Sequence, residues 1–529
     1  PTFFEPRLSR RSEVSGKAKA DLLRKSTTVE VNRDPSFLIL EPDFVRAVPL
    51  ASALRLAGTH WRDNVGSDFT FNLSYPTADI DVFFSHSWRS RWWLKVVSIM
   101  YHFNVQSAFM AACIAHACLL ILAHLDIRSD VLELQTGPFV VWEEGRKIFA
   151  RSTIRYMPAL TVFLLVFCLK QRLCWCRQPL CFLDKMCINQ TDQEKKLKGV
   201  QQLGALLRHS RQMMILWQPE YLTRLWCVFE LAAFTYMHGH REGSVILCPL
   251  KLPVLSLVLC LFHAVASLGI TIMAPLTIWS DGHMTWVSEN VPLSLHYIYW
   301  WALYYSATFC GLYLLPCVFL WRFCRSSVED KLTLRSQLLD FKVDRTQCFL
   351  EEDRTYVCEC ITRWFGSVSK FEDYVQNELA HVILKADTEA GGLPYGSILV
   401  GSLSHLLIGS NVAFDQLHAG AMLSGITIIL VTILITFCSD AIAIALTLRL
   451  AASEAESSAG KSFFRKHMFG PILSAGLFAA TTSAGLALMH ACLPIWASCI
   501  ILGVAGLGAA LLHCPSMFRL SSQKVAPDP

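Results

Sequence analysis

The chain has 529 residues, of which 53% are hydrophobic and 17% are charged, and its formal net charge is +5. Soluble domains carry roughly 25% charged residues, so this composition excludes a set of ordinary water-soluble domains and favours a membrane protein. The small positive charge is not concentrated in a long basic run, which argues against nucleic acid as a partner. The expected partner of the apolar segments is the lipid bilayer.

The first polar stretch, residues 1–95, is predicted to be cytosolic and to contain the first strand of an α/β domain. Asp79 to Trp88 is predicted to form a buried strand that ends in a polar loop. Ser85, His86 and Trp88 lie at the end of this segment.

Eight later segments are apolar and long enough to cross a bilayer, which needs about 20 helical residues. They are 98–124, 153–171, 252–279, 294–321, 395–413, 420–447, 469–490 and 493–514. Lys and Arg residues follow the second, fourth, sixth and eighth segments, and the positive-inside rule places such stretches in the cytosol. The prediction is a multi-pass integral membrane protein of about eight helices with both termini cytosolic. The second and fifth segments also fit a buried core helix or a re-entrant segment.

This reading divides the chain into seven parts. They are a cytosolic segment 1–95, a transmembrane hairpin 98–171, an α/β part 172–250, a second hairpin 252–321, a cytosolic helical segment 322–393, four helices in 395–514 and a cytosolic tail 515–529. Two N-glycosylation patterns begin at Asn72 and Asn189. Both fall on the predicted cytosolic side, so neither is expected to be modified.

Residues 172–250 alternate apolar strands with helices, which is typical of a parallel sheet covered on both faces. Strands are predicted at 180–183, 213–217 and 244–248, and helices at 195–209 and 222–237. Ligands of such sheets bind outside the carboxyl ends of the strands, where Ser85, His86, Asp184 and Trp217 are found.

Glu230 is the unusual residue of the second predicted helix, which is apolar on nearly every side. Burial would raise the pKa of this carboxyl group, which is the condition that a general acid or base needs. The structural alternative is an ion pair with Arg224 or Arg89.

Three motifs together resemble the Toll/interleukin-1 receptor (TIR) domain family. They are DVFFSHSW at 81–88, CFLDKMCINQ at 181–190 and LLRHSRQMMILWQPEYLTRLWCVFEL at 206–231. In that family the first strand reads like DVFISxS, the second ends in an acid that opens the BB loop, and a later helix reads like W-C-x-x-E-L. The likeness covers about 80–90 of the 529 residues.

The resemblance implies a flavodoxin-like TIR-type domain and one of two roles in signal transduction. Some TIR domains cleave NAD with a glutamate at the position of Glu230, so NAD is the implied substrate and no cofactor is expected. Ser85, His86, Trp88, Asp184 and Trp226 would then line the NAD-binding cleft. Other TIR domains are scaffolds that self-associate through the BB loop, here about Asp184–Lys196. About 90 residues separate the first two strands, so the first hairpin must be inserted between them.

A channel or transporter with a TIR-like sensor domain is the alternative function. It would depend on polar residues inside the apolar segments, namely His263, Ser306, His405, Ser439, Asp440 and Thr481 to Ser483. Asp440 is the leading candidate, because an acidic residue within a membrane segment is usually functional.

Overall fold

The computed structural model describes residues 42–124, 139–143, 146–150, 156–173, 177–239, 244–265, 296–348, 350–381, 384, 395–418, 422, 426, 429–430, 433, 440–456 and 471–474. The chain divides into two compact units, each made from three separate segments. The α/β unit comprises Pro1–Val96, Cys174–Leu250 and Leu334–His381, and the helical unit comprises Val97–Leu173, Lys251–Thr333 and Val382–Pro529. The segment 322–393, predicted to be one cytosolic element, is therefore shared between the two units.

A six-stranded mixed sheet forms the centre of the α/β unit. Its strands are β1 (Arg46–Pro49), β2 (Tyr75–Pro76), β3 (Ile80–His86), β6 (Leu180–Phe182), β7 (Ser210–Trp217) and β8 (Val245–Pro249), while β4 (Phe139–Glu143) and β5 (Arg146–Ala150) form a separate antiparallel pair. The strand order in the sheet is β2-β1-β6-β3-β7-β8. Strands β6, β3, β7 and β8 are parallel, and β1 and β2 extend the β6 edge in antiparallel pairing.

The longer helices follow in chain order. They are α1 (Trp92–His124), α2 (Tyr156–Leu173), α3 (Gln193–Gln201), α4 (Leu203–Arg208), α5 (Leu225–His238), α6 (Lys251–Val265), α7 (His296–Leu339), α8 (Glu351–Phe365), α9 (Val368–Tyr374), α10 (Tyr395–Gly401), α11 (Leu403–His418) and α12 (Asp440–Glu456).

The central strands β3 and β7 are buried on both faces of the sheet. Phe83 and Phe84 point to opposite faces of β3, and both are almost completely buried, as are Met213 and Met214 beside them in β7. Continuous apolar runs are the pattern of such doubly covered strands, which is why these segments show no alternation of polar and apolar residues.

Helix α8 belongs to the core of the α/β unit although it lies more than a hundred residues after α5. The Trp364 ring centroid lies 5.5 Å from that of Phe229 and 6.0 Å from that of Tyr236, both on α5. The backbone N–H of Leu225 also donates to the carbonyl of Gln347 at 3.1 Å. This segment therefore completes the apolar covering of α5.

The predicted fold class is wrong in its count of about eight membrane-spanning helices. In the part of the chain that the structure describes, two helices are long and apolar enough to cross a membrane, α1 with 33 residues and α2 with 18. The apolar run at 252–279 is described as helix only in α6, which has 15 residues, and the run at 395–413 is divided between α10 and α11. The segments 420–447, 469–490 and 493–514 lie mostly outside the described residues.

The sheet also differs from the predicted flavodoxin-like sheet. That prediction contained parallel strands alone, whereas β1 and β2 make the sheet mixed. Strand β1 has four residues and β2 has two, so neither is long enough to produce a recognisable pattern of hydrophobicity.

Helices α1 and α2 pack against each other through small and aromatic side chains in the helical unit. Ala108 and Ala112 of α1 share a buried cluster with Ala159, Phe163 and Phe167 of α2. Near this cluster the Asn104 amide donates to the Phe167 carbonyl at 2.7 Å. Residues early in α1 thus meet residues late in α2, so the two helices run antiparallel.

Candidate functional site

Glu230 lies next to the end of β3 and is held there by a hydroxyl group. The Ser85 hydroxyl, near the carboxyl end of β3, donates a hydrogen bond to Glu230 Oε2. Ser85 Oγ and the Tyr221 hydroxyl lie 2.6 Å apart and share a second hydrogen bond. Ser85 and Tyr221 are almost completely buried, whereas Glu230 is partly exposed. Ser85 of the sheet and Tyr221 of the loop between β7 and α5 therefore form a buried polar support for the Glu230 carboxyl group.

No ion pair joins Glu230 to an arginine or lysine among the described residues, and Arg89 instead donates to the Gln347 side chain at 3.2 Å. Desolvation raises the pKa of Glu230 to about 8, the Ser85 hydrogen bond opposes this rise, and the negative charge of Asp184 adds to it. A pKa of about 8 leaves the group mostly protonated at neutral pH, and a nearby positive charge would favour its ionised form. The predicted alternative, an ion pair of Glu230 with Arg224 or Arg89 that would have given Glu230 a purely structural role, is not formed.

Asp184 opens the loop after β6 and is tied to Trp88 of the loop after β3. The Trp88 indole N–H donates to Asp184 Oδ2 at 2.8 Å, and the backbone N–H of Lys185 donates to Oδ1 at 2.7 Å. Desolvation raises the pKa of Asp184, while these two hydrogen bonds and the nearby lysines favour the charged form. Both carboxylate oxygens are occupied, so Asp184 orients Trp88 and contributes negative charge near Glu230.

His86 is buried behind the site between two tryptophan rings. Its ring centroid lies 5.1 Å from that of Trp61 and 4.6 Å from that of Trp88. Desolvation lowers the pKa of His86 well below its ordinary value, and the positive charge of Lys95 lowers it further, so the imidazole is neutral. Its Nε2 atom is buried without a hydrogen-bond partner among the described residues.

Lys95 is a component of this site that sequence reasoning missed. Its side chain is completely buried, its Nζ atom lies 5.0 Å from the centroid of the Trp88 ring, and that atom has no hydrogen-bond partner in the described part of the chain. A single lysine in the apolar run from Trp92 to Val97 was the available signal. A buried ammonium is costly unless negative charge compensates it, and Asp184 supplies that charge nearby.

Trp226 is oriented differently from the other predicted binding residues. It is one helical turn from Glu230, but its indole N–H donates to Asp353 of α8 at 3.1 Å, and its ring contacts Phe229. The structure therefore brings Ser85, His86, Trp88, Asp184 and Glu230 together, while Trp226 links α5 to α8. Trp217, at the end of β7, is fully buried.

The helical unit contains a second polar cluster. It is formed by three of the polar residues on which a channel or transporter function was predicted to depend. His263, His405 and Asp440 place ligand atoms within 4.8 Å of one another. The side chain of Ser306, Ser439 and the run from Thr481 to Ser483 lie outside the described residues.

No protein-family model, no curated protein and no solved structure matches this chain.

Proposed function

We propose that this chain is a membrane-anchored signalling protein whose TIR-like α/β unit cleaves NAD with Glu230. The observation that supports this most is the state of Glu230, a partly exposed carboxyl group with its pKa raised to about 8 and a serine in place of a cationic partner. In the described part of the chain no cation pairs with this carboxyl group, so it stays available to ionise when a cationic substrate approaches. The raised pKa resembles that of catalytic carboxyl groups.

The chemistry follows from the charge that develops on the ribose. When the bond between ribose C1′ and the nicotinamide nitrogen breaks, its electron pair leaves with nicotinamide and C1′ becomes positively charged. An ionised carboxylate stabilises such a cation, as in glycosidases. The positive charge of the bound nicotinamide ring would favour ionisation of Glu230. Water then adds to C1′ and loses a proton, so the products are nicotinamide, ADP-ribose and H⁺.

The test is NAD consumption by the purified full chain in detergent or reconstituted liposomes. Wild type should release nicotinamide, and Glu230→Gln should lower the rate by at least about 100-fold, because the substitution removes the charge but keeps the size. Glu220→Gln is the matched control, since Glu220 is an exposed glutamate in the loop before the same helix. Absence of turnover by folded wild type, or full activity of Glu230→Gln, would contradict the proposal.

We further propose that α1 and α2 form the membrane anchor and that the α/β unit faces the cytosol. Both helices have the length and composition of a span. Lys170 and Arg172 end α2 and Arg177 follows it, and basic residues after a span favour the cytosolic side. A pair of crossings would return the chain to the side that it left, as an insertion between β3 and β6 requires. The multi-pass channel or transporter function remains a prediction.

A TIR-like scaffold is the second candidate, favoured by the exposed part of 184–196, which begins at Thr191 and includes the start of α3, whereas Lys185 to Asn189 are buried. Glu194 and Lys195 are exposed there, and Leu197 is 60% exposed. Charged residues around an exposed apolar residue are typical of a contact surface. Self-association of the full chain should weaken in Glu194→Lys and in Lys195→Glu, and it should persist in Glu230→Gln. A chain that stays monomeric at high concentration and on liposomes would exclude this role.

A further inference from the structure

The helical unit contains a buried cluster of two histidines and one aspartate from three helices. His263 lies on α6, His405 on α11, and Asp440 is the first residue of α12. His405 Nδ1 lies 3.0 Å from Asp440 Oδ2, and His263 Nε2 lies 3.7 Å from Asp440 Oδ1. The side chains of His263, His405 and Asp440 are 0%, 11% and 1% exposed. Neither lysine nor arginine pairs with Asp440 in the described part of the chain, and its polar neighbours are the two imidazoles and the Ser402 hydroxyl.

The protonation of His263 is determined by its second contact. His263 Nδ1 lies 3.0 Å from the Gly401 carbonyl, which can only accept a hydrogen bond, so Nδ1 carries the proton. Helix α10 approaches α6 closely enough for this contact because Gly401 has no side chain. A Cβ atom at Gly401 would collide with Leu259. In a neutral imidazole the Nε2 lone pair is then directed towards the Asp440 carboxylate. Two electron-rich atoms that face each other in a buried site are stabilised by a proton or a metal ion between them.

One imidazolium would supply a single charge to this cluster, and two would be unfavourable. The ring centroids of His263 and His405 lie 4.1 Å apart, so two imidazolium ions would repel each other at close range in an apolar core. A divalent metal ion supplies two charges to one carboxylate and accepts both imidazole lone pairs. Histidines that bind metals commonly donate their other ring N–H to a backbone carbonyl, as His263 does to Gly401.

We propose that His263, His405 and Asp440 bind one divalent transition-metal ion of the zinc class in the helical unit. Two imidazole nitrogens and one carboxylate form a recurring donor set for zinc and non-haem iron, and three protein ligands leave a coordination position for water or a small ligand. The ion would join three helices: His263 and His405 are more than a hundred residues apart in the chain, and His405 and Asp440 are 35 residues apart. This site is independent of Glu230 and of NAD cleavage.

The test uses the purified full chain in detergent, stripped with a chelator and titrated with Zn²⁺ alone. Wild type should bind one zinc ion per chain and unfold at a higher temperature when zinc is present. His405→Gln and Asp440→Asn should each weaken zinc binding by at least about 100-fold and remove the thermal shift. His116→Gln is the matched control, because His116 is a buried histidine of the same unit that contacts Ser410 rather than Asp440. This control should bind zinc like wild type.

A spectroscopic measurement keeps the test valid if a variant fails to fold. Wild type loaded with Co²⁺ should show the visible absorption of a nitrogen- and oxygen-ligated ion, which Zn²⁺ should displace. A wild-type chain that binds neither ion would overturn the proposal and leave a proton-sharing His–Asp–His network. Unchanged zinc affinity in both folded variants would overturn it as well.

Discussion

Glu230 connects the chemistry of the site to the stability of the α/β unit. Its pKa is raised to about 8 in the folded chain, chiefly by desolvation, whereas an unfolded glutamate titrates near 4.3. Between these two values the folded chain holds one proton more than the unfolded chain. The contribution of Glu230 to the free energy of unfolding must therefore fall as pH rises through this window.

The corresponding prediction concerns Glu230→Gln. The stability of wild type relative to this variant should decrease from about pH 4.5 to about pH 8, with a slope of up to about 1.4 kcal/mol per pH unit, and level off outside this range. Thermal unfolding of both proteins across a pH series measures this difference, with Glu220→Gln as the control for an exposed glutamate. A difference that stays constant with pH would mean that Glu230 is ionised throughout.

The partial burial of Glu230 was predicted correctly because its neighbours in the chain are almost all apolar. A single carboxyl group in an apolar helix is unusual in any tertiary context, so partial burial could be inferred from the sequence. Lys95 and Trp226 show the limit of this reasoning. The contact of Trp226 with Asp353 joins residues 127 positions apart. The contact of Lys95 with Trp88 is short in sequence, but it depends on how the start of α1 packs on the loop after β3.

At the scale of elements, the α1–α2 pair depends on a polar contact within an apolar interface. Asn104 is completely buried, and its amide nitrogen donates to the Phe167 carbonyl and to the Gln171 side-chain oxygen. Its side-chain oxygen accepts a third hydrogen bond from the Gln171 amide. Hydrogen bonds between helices in an apolar environment contribute about 0.6 kcal/mol on average, with a maximum near 1.7.

We expect Asn104→Leu to destabilise the helical unit by about 1 kcal/mol, because the substitution removes all three hydrogen bonds and places a branched side chain in a tight interface. The thermal midpoint in detergent, followed by helical circular dichroism, measures this loss. Gln106→Leu makes the same chemical change at an exposed position of α1 and should leave the midpoint unchanged. Equal midpoints for all three proteins would exclude a stabilising role for Asn104.

Element prediction was accurate for strands with continuous apolar runs. Strands β3, β6, β7 and β8 lie in the four segments in which such runs were recognised. The count of eight spans was wrong, although α1 and α2 correspond to two of the predicted segments. An apolar run has the same composition in a membrane span and in the core of a helical unit, so composition could not show that 395–413 divides into two helices.

At the scale of the whole molecule, the proposed topology places the two natural glycosylation patterns in the cytosol. It places the residues between α1 and α2 on the opposite side of the membrane. Asn72 is exposed, so accessibility alone would permit its modification. Asn189 is nearly buried, and its side-chain oxygen accepts from the backbone N–H groups of Thr191 and Asp192. A cytosolic α/β unit would leave both asparagines unmodified.

In cells that glycosylate membrane proteins, native Asn72 should therefore remain unmodified, whereas an acceptor sequence introduced into residues 125–138 should be modified if α1 and α2 cross the bilayer. The readout is a mobility shift that glycosidase treatment reverses. An acceptor sequence in the exposed start of α3 serves as the cytosolic control. Modification of Asn72, or none in residues 125–138, would contradict the proposed orientation.

The sequence by itself determined the features that depend on local composition and spacing. These are the apolar character of the chain, the four parallel strands, the apolar helix that carries Glu230, and the insertion of α1 and α2 between β3 and β6. Only the tertiary structure decided which groups meet. It paired Glu230 with Ser85 in place of an arginine, added β1 and β2 to the sheet, packed α8 onto α5, and gathered His263, His405 and Asp440 into one buried cluster. The physical reason is that strand and helix patterns arise from neighbouring residues. The partner of a buried charge, by contrast, is selected by the packing of segments far apart in the chain.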